Sequence, residues 1–294
     1  MSQNTTETTA ITLRNTANDG VPLEATFLPS HGMNMISYKK GDLEVIDPST
    51  KNLFDERFAG LGALIGPHFH RRHPGILPVI QDPSRFPHIA RVAAKGVQDP
   101  FSHGIARYAP WNFEVTDNII TGTLTGKDKW NDVPLAELEG QQFKMTFKAE
   151  LKSNGLHLDL SVVSDTDSLV GIHYYYHLPT GKGRVISNVQ KECLFEGKMQ
   201  PIPFGSKDHA LTFDLAHEAD HTFYPFPHPR EGSILLDAET YRLQTKYTCV
   251  SQENSWQLYH PKGASFVCIE PLSSQDPRHP NLTVSSLSIH LEIF

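Results

Sequence analysis

The sequence lacks three features that would each indicate a particular class of protein. Its 294 residues include only three cysteines, which cannot all pair, and no Cys-x-x-Cys motif. It contains no run of about 18 apolar residues, the length that a transmembrane helix requires. Residues 1–10 are polar, without the basic and apolar regions of a secretory signal, and we expect them to be flexible. These absences predict a cytoplasmic protein with reduced thiols and no membrane partner.

Positive charge is also scarce. The chain has 26 Lys and Arg residues against 33 Asp and Glu residues, which gives a formal net charge of −7 at pH 7. Because such a chain is repelled by a phosphate backbone, we expect no nucleic-acid partner. Histidine, in contrast, is abundant, with 16 residues. Each histidine motif is therefore a candidate for proton transfer or metal binding.

No long stretch has the apolar spacing of a helix, and short helices are expected only near residues 49–58 and 128–139. Strand-like patterns occur instead in six segments, residues 113–115, 119–124, 171–176, 255–259, 265–270 and 283–294. No repeat, charge block or low-complexity tract marks a boundary. The sequence therefore predicts one all-β domain, a large sandwich, over residues 1–294.

The clearest local pattern is a hairpin in residues 143–162. Apolar and polar residues alternate on both sides of Asn154-Gly155, the dipeptide preferred in two-residue type I′ turns. That turn predicts Leu151 opposite Leu158, with the apolar residues of both strands on one face.

His68 and His70 have the His-x-His spacing that places two rings on one side of a strand, as metal sites in β-proteins require. With Gly62 they match the opening of the cupin metal signature. The glutamate that this signature requires next is replaced by Pro74 and Gly75. Because a ligand is missing, we expect no metal and interpret these residues as polar loop histidines. A metal-dependent β-sandwich enzyme is the disfavoured alternative.

The same region is basic. Between His68 and Arg107 there are six Lys and Arg residues, including Arg71 and Arg72, against two Asp residues, a local charge of +4. Arginine offers a planar fork to phosphate or carboxylate, so the cluster indicates a site for an anionic ligand. A solvated face with surface salt bridges is an equally good interpretation.

Three further motifs contain groups that could transfer protons. They are His103-Gly-Ile-Ala-Arg107, residues 171–176 with His173, and Cys268-Ile-Glu270-Pro271. A histidine that titrates near neutral pH can donate or accept a proton, and a carboxylate at the end of a strand is a suitable partner base. Each motif alone is more typical of a structural residue, so their combination carries the argument.

In order and spacing these motifs resemble those of the aldose 1-epimerase family. The first, followed by Trp111, is similar to the family's His-Gly-Phe-Ala-Arg element, and residues 171–176 are similar to its Gly-x-His-Pro-Tyr-Phe element. Residues 220–223 resemble an Asp-x-x-Phe segment, and the last motif resembles the Cys-x-Glu-Pro strand that carries the essential carboxylate. The Asn-Arg-Ile element has only a loose counterpart in residues 66–72. This resemblance therefore points to a divergent branch, near the hexose-6-phosphate mutarotases.

The resemblance implies a galactose-mutarotase-like β-supersandwich, a monomer or homodimer, that needs no cofactor and no metal. Its reaction would interconvert the α and β anomers of a hexose or hexose 6-phosphate. By position, Glu270 would be the base and His173 the acid, with His103 assisting at the ring oxygen.

The resemblance also implies a set of substrate-binding residues. They are Asp220 and Arg71 or Arg72 for hydroxyl groups, Arg107, and Trp111 and Tyr175 as an apolar platform for the sugar. The alternative is a non-catalytic carbohydrate-binding protein with the same fold. The joint presence of two histidines and a glutamate favours the enzyme, because a binder needs no acid and base.

Overall fold

The computed structural model of the protein describes residues 9–70 and 77–294. Within these ranges the chain forms 22 strands: β1 (Ile11–Thr16), β2 (Pro22–Leu28), β3 (Asn34–Lys40), β4 (Leu43–Glu44), β5 (Gly62–Ile65), β6 (Asn112–Thr116), β7 (Ile119–Thr125), β8 (Lys129–Trp130), β9 (Val133–Pro134), β10 (Phe143–Lys152), β11 (Gly155–Ser168), β12 (Gly171–His177), β13 (Arg184–Phe195), β14 (Lys198–Pro201), β15 (Ser206–Lys207), β16 (Ala210–Asp214), β17 (Ala219–Pro225), β18 (Glu231–Asp237), β19 (Arg242–Cys249), β20 (Ser255–His260), β21 (Phe266–Leu272) and β22 (Leu282–Ile293).

Helices are few and short. The described ranges contain α1 (Lys51–Arg57), α2 (Pro87–Ala93) and α3 (Leu135–Glu139), and 3-10 turns at Pro48–Thr50, Pro83–Arg85 and Ile105–Arg107. The first and third helices lie in the two regions where the sequence predicts short helices, whereas α2 follows a proline-rich stretch and was not predicted. None of the helices in the described ranges is long and apolar enough to cross a membrane.

Of these strands, β8 and β9 pair only with each other, and the other twenty form two large antiparallel sheets. The first sheet runs β1-β2-β3-β5-β12-β21-β20-β17-β13-β14, with β4 paired to β3. The second runs β6-β7-β10-β11-β22-β19-β18-β13-β16-β15. Strand β13 belongs to both, since its first half pairs with β16 and β18 and its second half with β14 and β17. This architecture confirms the all-β sandwich predicted from the sequence.

The predicted hairpin is present, but its register differs. Strands β10 and β11 pair Lys152 with Gly155 and Leu151 with Leu156, so Ser153-Asn154 forms the turn. The pairing of Leu151 with Leu158 was therefore wrong by two residues. Gly155 has a φ of +126°, a value that favours glycine, so the glycine is used after the turn and not within it. A shift of two residues keeps every side chain on its face, which is why the predicted apolar face is correct.

The core lies between the two sheets. Strand β10 alternates buried and accessible residues along its length, as the sequence pattern indicates. Phe147 on this strand packs edge-on against Phe27 of the first sheet, with ring centroids 5.8 Å apart. The buried Tyr38 hydroxyl donates to the Leu291 carbonyl across the two sheets, at 2.9 Å. Burial of each such ring contributes about 1.5–3 kcal/mol and holds the sheets at a fixed separation.

Candidate active site

Strand pairing in the first sheet brings four polar residues together. In β12 and β21, Tyr174 pairs with Ile269, which places His173 opposite Glu270. On the other side of β21, Gln257 pairs with Glu270, and one strand further Asp220 pairs with Tyr259. Because alternate residues of a strand share a face, these side chains form one polar patch on the sheet. They come from segments separated by up to about a hundred residues.

A loop carries the other predicted histidine onto this patch. The His103 amide donates to the Phe69 carbonyl, and the His103 carbonyl accepts from the Gly66 amide, both at 2.9 Å. Gly104 has a φ of +87°, and a Cβ atom at this position would lie only 2.0 Å from the Gly66 carbonyl oxygen. The glycine of the His103-Gly motif is therefore required by this close backbone approach.

A buried histidine braces the same loop. The Nδ1 atom of His68 lies 2.6 Å from Glu139 Oε1, and its Nε2 atom lies 2.9 Å from Asp99 Oδ2. The second oxygens of these two carboxyl groups accept from the amides of Ile105 and Phe101, both at 3.0 Å. Because ionised carboxylates only accept hydrogen bonds, this geometry fits an imidazolium that donates from both nitrogens. His68 lies in a loop, as interpreted from the sequence, but it is buried there, with 7% exposure.

The patch and the loop enclose a cavity of about 230 Å³. Six residues predicted from the sequence line it: His103, Arg107, His173, Tyr175, Asp220 and Glu270. The cavity combines aromatic side chains with a few convergent polar groups, as binding sites for small ligands do.

The centre of the cavity is a histidine–carboxyl pair. His173 Nε2 lies 3.3 Å from Glu270 Oε1, and the two residues are 7% and 0% exposed. Among the described residues, neither Glu270 oxygen nor His173 Nδ1 has a hydrogen-bond partner, and the same holds for Nε and Nη2 of Arg107. Buried polar atoms are nearly always paired, so a group of unpaired ones around one cavity is typical of a site that is completed by a ligand.

Burial shifts the proton affinities of the pair in opposite directions. It raises the pKa of Glu270 well above its ordinary value, with a contribution from Asp220, while Arg107 acts in the other direction. Burial, together with Arg107, lowers the pKa values of His173 and His103 well below their ordinary value. Both shifts favour neutral forms. The free site therefore favours a protonated carboxyl beside a neutral imidazole, in contrast to the sequence-based expectation that His173 titrates near neutral pH.

Neighbouring contacts fix the orientation of these groups. The Tyr175 ring stacks on the His173 ring with centroids 4.9 Å apart. Asp220 Oδ1 accepts from Gln257 Nε2 at 2.8 Å. His103 Nδ1 lies 2.9 Å from the Ser102 hydroxyl, and its ring packs 5.3 Å from that of His173. The site is thus built from groups held by packing as well as by hydrogen bonds.

Of the predicted binding residues that the structure describes, Trp111 is not brought to the cavity. Trp111 is 4% exposed, packs on Phe147 in the core and donates from Nε1 to the Ala106 carbonyl at 2.9 Å. The prediction that Trp111 is a platform for the sugar is therefore corrected: the indole supports the loop of residues 103–107 from the core side. Arg71 and Arg72 lie outside the described residues.

The four Lys and Arg residues of the basic region that the structure describes divide into two groups. Arg85 pairs with Asp82 at 3.2 Å, Lys95 pairs with Glu56, and Arg91 donates to the Glu56 backbone carbonyl at 2.7 Å. For these three cations the surface-pairing interpretation applies. Of the described basic residues in this stretch, Arg107 alone lines the cavity.

Sequence reasoning missed several residues of the cavity wall, among them Arg57, Gln257 and Tyr259. Arg57 ends α1, and no motif marks it. Gln257 and Tyr259 alternate on a strand that was predicted, but only the pairing of β20 with β21 reveals that they face Glu270.

No family model matches the sequence, and no curated protein sequence matches it either. Solved structures match the fold over nearly its whole length. A galactose mutarotase-like protein from Lactobacillus casei ATCC 334 has a TM-score of 0.67 and 13% identity, covering 97% of this chain and 100% of the other. The GalM/aldose epimerase homologue from C. elegans has a TM-score of 0.68 and 13% identity, covering 97% and 99%. A galactose mutarotase-like protein from Clostridium acetobutylicum has a TM-score of 0.65 and 14% identity, covering 97% and 98%.

These similarities establish the fold class. The chain has the galactose-mutarotase-like β-supersandwich fold that the sequence motifs predict. At such low identity the similarity concerns the fold alone, and function must be argued from the site.

Proposed function

We propose that the protein is a mutarotase of the aldose 1-epimerase type, which interconverts the α and β anomers of a hexose or hexose 6-phosphate. The observation that carries this proposal is the buried pair of His173 and Glu270, 3.3 Å apart, with unpaired polar atoms facing one small cavity. The names of the similar structures, galactose mutarotase-like proteins and an aldose epimerase homologue, support it.

Ring opening requires two proton transfers, and the pair can perform both. Glu270, as carboxylate, accepts the proton of the anomeric hydroxyl, while His173, as imidazolium, donates a proton to the ring oxygen. The C1–ring oxygen bond breaks, its electron pair stays on the ring oxygen, and a carbonyl forms at C1. Rotation about the C1–C2 bond and reversal of the transfers close the ring as the other anomer. His103 assists at the ring oxygen.

The free pair is poised one proton transfer away from this active form. Its favoured state is carboxyl and imidazole, and movement of one proton across the pair gives carboxylate and imidazolium. Arg107 stabilises the carboxylate by its charge. A carboxylate with a raised pKa is also a stronger base than a solvated one, which favours abstraction of a weakly acidic hydroxyl proton.

Substrate binding is assigned to the residues around the pair. Asp220, held by Gln257, accepts hydrogen bonds from sugar hydroxyls, and Tyr175 offers its ring to the C–H face of the sugar. Arg107, with Arg71 or Arg72, binds hydroxyls or a phosphate group. A preference for hexose 6-phosphate over free hexose is the finer part of the proposal, because an arginine lines the cavity of a net-acidic protein.

The remaining parts of the proposal concern the whole chain. We propose a single domain over residues 1–294, as monomer or homodimer, without a cofactor or a nucleic-acid partner. A cytoplasmic location is supported by the three free cysteines, Cys193, Cys249 and Cys268, all of which are buried.

The decisive experiment measures anomer exchange by saturation-transfer NMR with glucose, galactose and glucose 6-phosphate. We expect Glu270→Gln to lower the exchange rate at least about 10²-fold, the usual loss for a general base. A folded Gln variant with near wild-type exchange contradicts the assignment of the base. If the wild-type protein binds sugars but catalyses no exchange with any of them, the non-catalytic binder is correct. Equal kcat/KM for glucose and glucose 6-phosphate, without inhibition by sulfate, contradicts the phosphate preference alone.

A further inference from the structure

The sulfur atom of Cys268 adjoins the proposed catalytic pair. Cys268 and Glu270 alternate on β21 and so share a face, and His173 lies on the paired strand β12. A ring nitrogen of His173, the thiol of Cys268 and a carboxyl oxygen of Glu270 all lie within 4.8 Å of one another. All three residues are buried.

We propose that His173, Cys268 and Glu270 form a binding site for a thiophilic divalent cation such as Zn²⁺. Imidazole nitrogen, thiolate sulfur and carboxylate oxygen are the three donor types that Zn²⁺ takes in proteins. Mg²⁺ and Ca²⁺ prefer oxygen donors only and are not suited to this set. Three protein ligands leave a fourth position open to water from the cavity.

The distances permit coordination with small side-chain movements. In a tetrahedral site with zinc–ligand bonds of about 2.0–2.3 Å, neighbouring ligand atoms lie about 3.3–3.7 Å apart. His173 Nε2 and Glu270 Oε1 are already 3.3 Å apart. Since one donor atom of each residue lies within 4.8 Å of the other two, no pair of donors has to close by more than about 1.5 Å.

Charge balance favours a divalent ion in this buried place. On binding, the Cys268 thiol proton and the proton of the Glu270 carboxyl leave to solvent, and one bond forms to each of the sulfur, oxygen and nitrogen donors. A thiolate and a carboxylate carry two negative charges, which a divalent cation neutralises. Both Glu270 oxygens lack a partner among the described residues, so the ion would also pair a buried polar group that is otherwise unpaired.

Occupation of this site should inhibit the protein. The ion would engage the lone pairs of Glu270 and His173 that the proposed reaction uses for proton transfer. This consequence rests on the proposed function, whereas binding itself does not. Cys268 takes no part in the proposed proton transfers, which makes it the position at which metal binding and catalysis can be separated.

The experiment uses the full chain, free of affinity tags and stripped with a chelator. Zn²⁺ binding is measured by calorimetry, and Co²⁺ binding by the thiolate-to-cobalt charge-transfer band in the near ultraviolet. We expect one ion per chain, the charge-transfer band, and inhibition of anomer exchange by Zn²⁺ but not by Mg²⁺, reversed by the chelator. Removal of a residue that only hydrogen-bonds to a metal ligand weakens metal binding about 10–100-fold. Cys268→Ser removes a ligand itself and should therefore weaken Zn²⁺ binding at least tenfold.

Two variants separate the outcomes. Cys268→Ser should lose the cobalt band and exchange anomers in the presence of Zn²⁺, whereas Cys193→Ser, at another buried free cysteine, should behave as wild type. His173→Asn should also weaken binding, which tests the site if the serine variant does not fold. Absence of the band in the wild type, or wild-type Zn²⁺ affinity in both the Cys268→Ser and the His173→Asn variants, overturns the proposal. If the band appears but no anomer exchange is found with any sugar, the metal site stands and the proposed function fails.

Discussion

Replacement of Glu270 by glutamine should stabilise the protein while it removes activity. The carboxyl is fully buried, both oxygens lack a partner among the described residues, and its pKa is raised well above the ordinary value. The folded state therefore binds a proton that the unfolded state releases above about pH 4.5. Its contribution to stability is complete below that pH and is lost as the pH rises towards the folded-state pKa.

The magnitude follows from this one proton. Wherever the folded carboxyl holds its proton and the unfolded one does not, the free energy of unfolding falls by about 1.4 kcal/mol per pH unit. Glutamine is neutral at every pH and has a similar shape, so the free energy of unfolding of the Glu270→Gln variant should not fall with pH in this way. In that pH range each further pH unit should therefore add about 1.4 kcal/mol to the stability of the variant relative to wild type. Each pH unit should widen the difference in Tm by roughly 2–4 °C.

The assay is thermal unfolding followed by circular dichroism, at unit steps from about pH 5 to pH 8, for the wild type and two variants. Glu114→Gln, at an exposed position of β6, is the control and should show a Tm difference from wild type that does not grow with pH. A difference for Glu270→Gln that stays constant, or that favours the wild type as the pH rises, refutes the argument that burial holds the carboxyl protonated.

Three further predictions concern the histidines. His173→Asn should remove most anomer exchange, whereas His177→Asn, on the same strand but outside the cavity, should retain most of it; equal losses would show that the strand needs both residues structurally. The rate should have a bell-shaped pH profile, because the pair of His173 and Glu270 must hold one proton between them. The rate should fall in acid where the pair takes up a second proton, below the ordinary histidine pKa, and fall in alkali where the pair loses its proton, above the ordinary carboxyl pKa. A kcat/KM that falls neither in acid nor in alkali contradicts proton transfer by the pair. His68→Gln should destabilise the protein by about 1.5–3 kcal/mol, since it removes hydrogen bonds between the imidazole and two buried carboxyl groups, and should lower exchange by displacing the His103 loop; unchanged Tm and rate contradict the bracing role.

Strand patterns carried most of what the sequence revealed of the fold. The alternation over residues 143–162 predicted both strands and the buried face, because that face depends only on the period of two. The register predicted from it was wrong by two residues, because Gly155 satisfies an unusual backbone angle either inside a turn or just after it. Helix α2 was missed because it begins at Pro87, at the end of a proline-rich stretch in which no helix is expected.

The residues of the site likewise differ in how far they could be predicted: some belong to local motifs, whereas the roles of others depend on partners that are distant in sequence. Residue 104 follows His103 at a point where the backbone approaches the Gly66 carbonyl so closely that only glycine fits. The His103-Gly104 motif therefore indicates the loop by itself. Trp111, in contrast, was misplaced, because an aromatic residue beside a motif packs equally well behind it or in front of it. The role of His68 depends on Asp99 and Glu139, which are distant in sequence and carry no pattern that joins them.

The chemistry of the cavity arises from the sheet as a whole. Glu270 alone is a carboxyl at the end of an apolar strand, and the sequence does not reveal its protonation. Pairing with β12 and β20 removes it from water and places His173 at 3.3 Å, so burial opposes both charges at once. A well-packed interior would not retain such a pair without a gain elsewhere, because two neutral apolar residues would be more stable. The increase in the free energy of unfolding that we expect for Glu270→Gln therefore measures how much stability the wild-type fold loses by holding a base and an acid next to a bound sugar.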